Sequence, residues 1–169
     1  MRRPSDESRH PHSQLRHPSS RSWRLHDGNV HAEYLGQSTS AYFDMRAARS
    51  TPVVPTYQWC CDRIIALYER AGLEPDMGSR LFGAFVRAGL PAPTMIGAGR
   101  VEGGADSYVY RYIAATMRSL LPMFERLGVA TAEEVDVDTL EARMRAKALE
   151  HASSLVLPTF VAAWARTPT

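Results

Sequence analysis

The side chains with most chemistry to offer are unevenly placed: five of the six histidines lie before residue 40, and the two cysteines, Cys60 and Cys61, are neighbours. His10, His12 and His17 have the short spacing of a loose imidazole tract that can share a metal ion. Arg2, Arg3, Arg9, Arg16, Arg21 and Arg24 have the makings of a basic arm for nucleic acid or an anionic surface. Prolines and acids interrupt both patterns, so the stretch reads as a solvated tail. Cys60 and Cys61 fall in a helical pattern, where adjacent side chains diverge and rarely bridge. Two thiols are too few for zinc, which takes four ligands at loop-like spacing. They read as small buried hydrophobes, and no metal site is expected. Gly97-Ala98-Gly99-Arg100 superficially resembles a phosphate-cradling loop. Its context is wrong: Pro91 and Pro93 precede it and no helix opens directly after it. His151 follows a helix end and reads as a dipole-compensating residue, and no Ser-His-Asp or Cys-His arrangement can be assembled.

The elements that must position any site follow from periodicity. Pro55 and Thr56 open a helix to about Ala71, with Tyr57, Cys60, Ile64, Leu67 and Ala71 on one face and Gly72 as the stop. A second helix is predicted from about Ser79 to Ala88, with Leu81, Phe82, Phe85 and Val86 inward and Gly89 after it. Thr94–Val101 reads as a strand, weakened by Gly97 and Gly99. A long helix follows, from Asp106 or Ser107 to about Leu127, with a stripe of Val109, Ile113, Met117, Leu120 and Phe124. Pro122 is expected to kink it or to end its first part. Asp138 and Glu141 resemble a capping box for a helix reaching about Glu150, with Glu141 and Arg145 placed to pair across one turn. Ser154–Trp164 reads as a last strand, with Pro158 at an edge or bulge.

Composition narrows the classes. The 169 residues suit one ordinary domain, and 44% apolar content supports a core lying mostly after residue 52. A formal net charge of +2 gives no global field for nucleic acid. No run of 18 apolar residues suggests a membrane span, and no hydrophobic stretch follows the charged start as in a secretory signal. A reduced, cytoplasmic protein without nucleic-acid or membrane partners is expected. Residues 1–42 are expected to be a disordered or non-homologous basic segment, with a short extended piece near Asn29–Leu35.

Several stretches carry a resemblance. They are Arg49-Ser50-Thr51-Pro52, Met77-Gly78-Ser79-Arg80-Leu81-Phe82 through Phe85 to Ala88-Gly89-Leu90-Pro91, Ser119-Leu120-Leu121-Pro122, Val135-Asp136-Val137-Asp138-Thr139-Leu140, and Ala163-Trp164-Ala165-Arg166. In order and spacing they resemble the carboxyl half of class I S-adenosylmethionine-dependent methyltransferases of the bacterial small-molecule type. The resemblance implies an α/β fold, a partial Rossmann-like methyltransferase fold in which residues 43–169 supply covering helices and the last antiparallel strand pair. Thr94–Val101 would be the sixth strand of the family sheet. Ser154–Trp164 would be the seventh, antiparallel between the fifth and sixth, and Phe43-Asp44-Met45 would end the fifth. Helices from Thr56 and Asp106 would cap the substrate side.

The same resemblance implies S-adenosylmethionine as cofactor and a small-molecule methyl acceptor. The family binds its cofactor through a glycine-rich turn and an acidic ribose-binding residue. Nothing between Met1 and Tyr42 supplies either, so no cofactor-binding residue is expected and the chain alone is not expected to hold the cofactor. Methyl transfer is an in-line displacement in which the enzyme mainly positions the nucleophile. The substrate-side candidates are therefore Tyr57, Trp59, Tyr108 and Arg111, at the starts of the two covering helices; catalytic residues are not identified. Core packing competes for Tyr57 and a solvated face for Arg111, and the sequence does not choose between Tyr108 and Tyr110. Three functions are open: a truncated methyltransferase inactive alone, one chain of a split methyltransferase completed by a complementary chain or homo-oligomer, and a non-enzymatic helical interaction protein that binds by strand addition. A single lysine, Lys147, among 20 basic residues fits GC-rich coding DNA, in which a frame-disrupted amino terminus has a ready origin.

Overall fold

The computed structural model describes residues 23–26, 29–34 and 37–166. The first described strands are Trp23–His26 (β1), Asn29–Tyr34 (β2) and Gln37–Asp44 (β3); the extended piece expected near Asn29–Leu35 is β2, and β1 and most of β3 also fall within residues 1–42, the stretch read as a disordered or non-homologous segment. Residues 1–22, with His10, His12, His17 and the arginines up to Arg21, lie outside the described residues. After β3 come strand Arg49–Thr51 (β4), helices Pro55–Arg70 (α1) and Met77–Arg87 (α2), and strands Thr94–Ala98 (β5) and Val101–Glu102 (β6). Helices Tyr108–Arg126 (α3), Ala132–Val135 (α4) and Val137–Glu150 (α5) lead to strands Ser154–Val156 (β7) and Thr159–Arg166 (β8).

The strands form two sheets, β1-β2-β3-β8-β5 and β4-β7-β6. The architecture is thus mixed helix and sheet, the α/β class at its coarse level. Every pair of neighbouring described strands is antiparallel, unlike the neighbouring parallel strands of a complete Rossmann-like sheet. β8 runs between β3 and β5 and opposes both, so β3 and β5 point the same way. They are joined by a crossover carrying α1 and α2, because same-direction strands cannot be linked by a hairpin.

Two predicted strands divide. The stretch 94–101 ends its first strand at Ala98, and Val101 pairs in the other sheet. The stretch 154–164 breaks at Pro158: β7 pairs with β4 and β6, while β8 pairs with β3 and β5. Proline cannot donate to a ladder, so it falls where the chain leaves one sheet for the next.

α2 seals one face of the larger sheet. Leu81 and Phe85 are fully buried against Val161, Ala163 and Ala165; each such burial is worth about 1.5–3 kcal/mol. Phe82 and Val86, expected inward, are each 52% exposed, because this helix packs on a single surface. Gly78 lets the backbones close: an added Cβ would stand 2.8 Å from Val161 Cβ and 2.7 Å from Asp44 Oδ1. Asp44, at the end of β3, accepts from the Ser79 amide (2.8 Å) and hydroxyl, satisfying an amide of the first turn of α2. Arg46 adds a second tie, its amide donating to Asp76 Oδ1 (3.0 Å) and its guanidinium pairing with Asp76 and Glu69.

The larger core lies among α1, α3 and α5 over the smaller sheet, with Tyr57, Cys60, Ile64, Leu67, Ile113, Met117, Phe124, Leu140, Met144 and Leu155 buried. α3 runs unbroken through Pro122, which loses one amide without ending the helix. The capping box is at Thr131 and Glu134 of α4, not at Asp138. Asp138 lies in the first turn of α5 and pairs with Arg118 at 2.7 Å. Glu141 and Arg145 pair as expected, at 2.9 Å. Among the described residues, no helix is long and apolar enough to cross a membrane.

Candidate functional site: an aromatic cleft at the sheet junction

The chain crosses between the two sheets twice, side by side. Gly99-Arg100 links β5 to β6, and Leu157-Pro158 links β7 to β8; the Leu157 amide donates to the Arg100 carbonyl at 2.9 Å and ties the crossings together. A cleft of about 370 Å³ opens there. It lies at the carboxyl ends of β3 and β5, beside the amino end of β8.

Alternation along the strands supplies its wall. Phe43 pairs with Phe160 in the register, and Ala98 pairs with Phe160 from the other side, so all three face away from α2. The Phe43 and Phe160 rings meet edge to face with centroids 5.4 Å apart. Both rings are exposed, as are Ile96 and Trp164 farther along the same face. Tyr112, on α3, completes the lining.

α3 also builds the rim. Ser107 caps it, accepting from the Val109 amide at 3.3 Å and donating to Glu102 Oε2 at 2.8 Å. The Ser107 hydrogen bond leads the causes that hold the Glu102 carboxyl below its usual range; desolvation opposes it, and the Tyr108 amide and Arg100 charge assist. The Tyr108 ring lies 5.7 Å from that of Tyr112, with the Arg100 and Arg111 guanidiniums 5.2 and 5.3 Å from its centroid. Arg100 is salt-bridged to Glu102. Arg111 is exposed and has no salt-bridge partner among the described residues.

The four predicted site residues divide three ways. Tyr57 is fully buried and its hydroxyl donates to the Val156 carbonyl at 2.6 Å, tying α1 to β7. Burial, ahead of the neighbouring Cys61, drives its phenol far above the usual range, so it is no proton shuttle. Trp59 stands under Arg63 (5.3 Å) in a separate recess of about 330 Å³ shared with Glu134 and Arg143. Tyr108 and Arg111 stay together beside the cleft. The choice between Tyr108 and Tyr110 falls to Tyr108, which is 40% exposed; Tyr110 is buried with its hydroxyl donating to the Gly104 carbonyl at 3.0 Å.

Sequence reasoning missed Phe160, Arg100 and Tyr112, and placed Phe43 only as a strand end. They lie far apart in the chain, and no spacing rule joins them. Gly97-Ala98-Gly99-Arg100 forms a strand end and a crossing, with α3 starting only at Tyr108. His151 occupies the C-cap of α5. Among the described residues, the cleft lining contains no carboxylate and no histidine. Its chemistry is that of holding and orienting an apolar ring beside positive charge. No protein-family model matches the chain, and no curated protein matches it.

Proposed function

We propose that residues 43–166 form the substrate-side half of a class I S-adenosylmethionine-dependent methyltransferase fold, a Rossmann-like sheet edge whose cofactor is held by elements other than these. The aromatic cleft would receive a small-molecule methyl acceptor. The observation that carries the reading is the strand order: β8 lies reversed between β3 and β5, the arrangement that the resemblance implies for the fifth, seventh and sixth strands. The crossover through α2 and the cleft at the carboxyl ends of β3 and β5 agree with it.

On this reading the chain positions the acceptor and excludes water, while the methyl donor comes with a complementary chain or segment. The exposed face carrying Phe43, Ile96, Phe160 and Trp164 is apolar surface that such a partner would cover. The same face also favours the second reading, an interaction protein without catalysis. Calorimetric titration with S-adenosylmethionine tests where the cofactor binds: the chain alone is expected to give no heat of binding. The chain joined to a complementary glycine-rich half, sought in the DNA preceding its gene, is expected to bind. Micromolar affinity of the chain alone would overturn the assignment of the cofactor to other elements, and failure of the joined chain to bind would overturn the methyltransferase reading.

A further inference from the structure

The cleft differs from a generic apolar recess in what surrounds its open side. Its wall is a pair of phenyl rings in edge-to-face contact, and its far side is Tyr112, stacked in turn near Tyr108. Planar π-faces favour planar ligands through offset or edge-to-face contacts. At about 370 Å³ the space is at the small end of ligand pockets and suits one or two rings.

Two guanidiniums with unequal freedom stand over Tyr108, the ring next to the lining residue Tyr112. Arg100 lines the cleft, but Glu102 already takes its charge, and Glu102 is itself fixed by Ser107. Arg111 leans on the Tyr108 ring, is exposed, and has no carboxylate partner among the described residues. A guanidinium presents a planar fork of donors that matches a carboxylate. We propose that the cleft takes a planar arene carboxylate of one or two rings, its ring between Phe43, Phe160 and Tyr112 and its carboxylate toward Arg111. The acid group of the methyl acceptor is thereby assigned, and this rests on the cleft being the acceptor site.

The probe is 2-naphthoate, compared with the neutral 2-naphthamide, each titrated into the full chain by calorimetry at low salt. The acid is expected to bind roughly fivefold more tightly than the amide, the scale of one exposed charge pair. Arg111→Gln is expected to abolish that ratio and leave amide affinity unchanged, while Phe160→Ala weakens both ligands. Both side chains are exposed, so neither substitution touches the core; unchanged thermal unfolding would verify this. Equal binding of acid and amide, an Arg111→Gln variant that keeps the ratio, or no binding of the acid would each overturn the proposal. Charge-selective binding by a chain whose joined form never binds S-adenosylmethionine would keep this inference while removing the methyltransferase reading.

Discussion

Replacing Gly78 by alanine adds one carbon where α2 meets β8. That carbon would stand 2.8 Å from both Cβ and Cγ2 of Val161 and 2.7 Å from Asp44 Oδ1. Ordinary carbon contacts lie near 3.5–4.0 Å, so the overlap approaches ~1 Å. Val161 Cβ is fixed to the backbone of β8, an interior strand, and Asp44 is held by its bonds to Ser79, so neither neighbour is a loose side-chain end. Overpacking of this kind costs about 1–3 kcal/mol. Alanine's better helix propensity offsets at most about 1 kcal/mol. A net loss of ~1–2 kcal/mol is expected, lowering the urea midpoint by roughly 1 M. Because the carbon presses on Val161, the Val161→Ala change should cost less in the Gly78→Ala background than alone, with a coupling of at least ~0.5 kcal/mol. A Gly78→Ala chain as stable as the parent, or strictly additive effects in the double variant, would refute the close-approach argument.

Tyr57→Phe removes the hydroxyl that donates to the Val156 carbonyl at 2.6 Å; a loss of about 1 kcal/mol in urea unfolding is expected, with naphthoate affinity unchanged. Burial pushes the Cys60 thiol up to about 12 and the Cys61 thiol up to about 11, from an ordinary value of 9.0. The folded chain therefore keeps protons that the unfolded chain releases. This contribution to stability is complete below about pH 9 and is lost as pH rises through 11–12. Urea midpoints between pH 8 and 11 should fall, and less steeply in Cys60→Ala; identical slopes would count against the burial of this thiol.

The helices were legible because their signals are local. Pro55 opens α1, and Gly72 and Gly89, both at φ 72°, stop α1 and α2. The buried face of α1 at Tyr57, Cys60, Ile64 and Leu67 follows the 3.6-residue period. The last strand was legible in part: the stretch 154–164 is extended, but only its portion after Pro158 belongs to β8.

Only tertiary structure decided the rest. Pro122 is tolerated because packing on both sides of α3 holds the helix, with Met117 and Phe124 fully buried across it. Phe82 and Val86 are exposed because α2 meets one sheet face, a fact of packing that amphipathicity does not contain. Pro158 marks a break in either strand pattern, but its consequence, a crossing between two sheets, depends on pairing partners more than 100 residues away in β3 and β4. The cleft arises from that crossing. Phe43, Arg100, Tyr112 and Phe160 meet there through strand register and backbone course, which are long-range and leave no periodic trace in the residues they bring together.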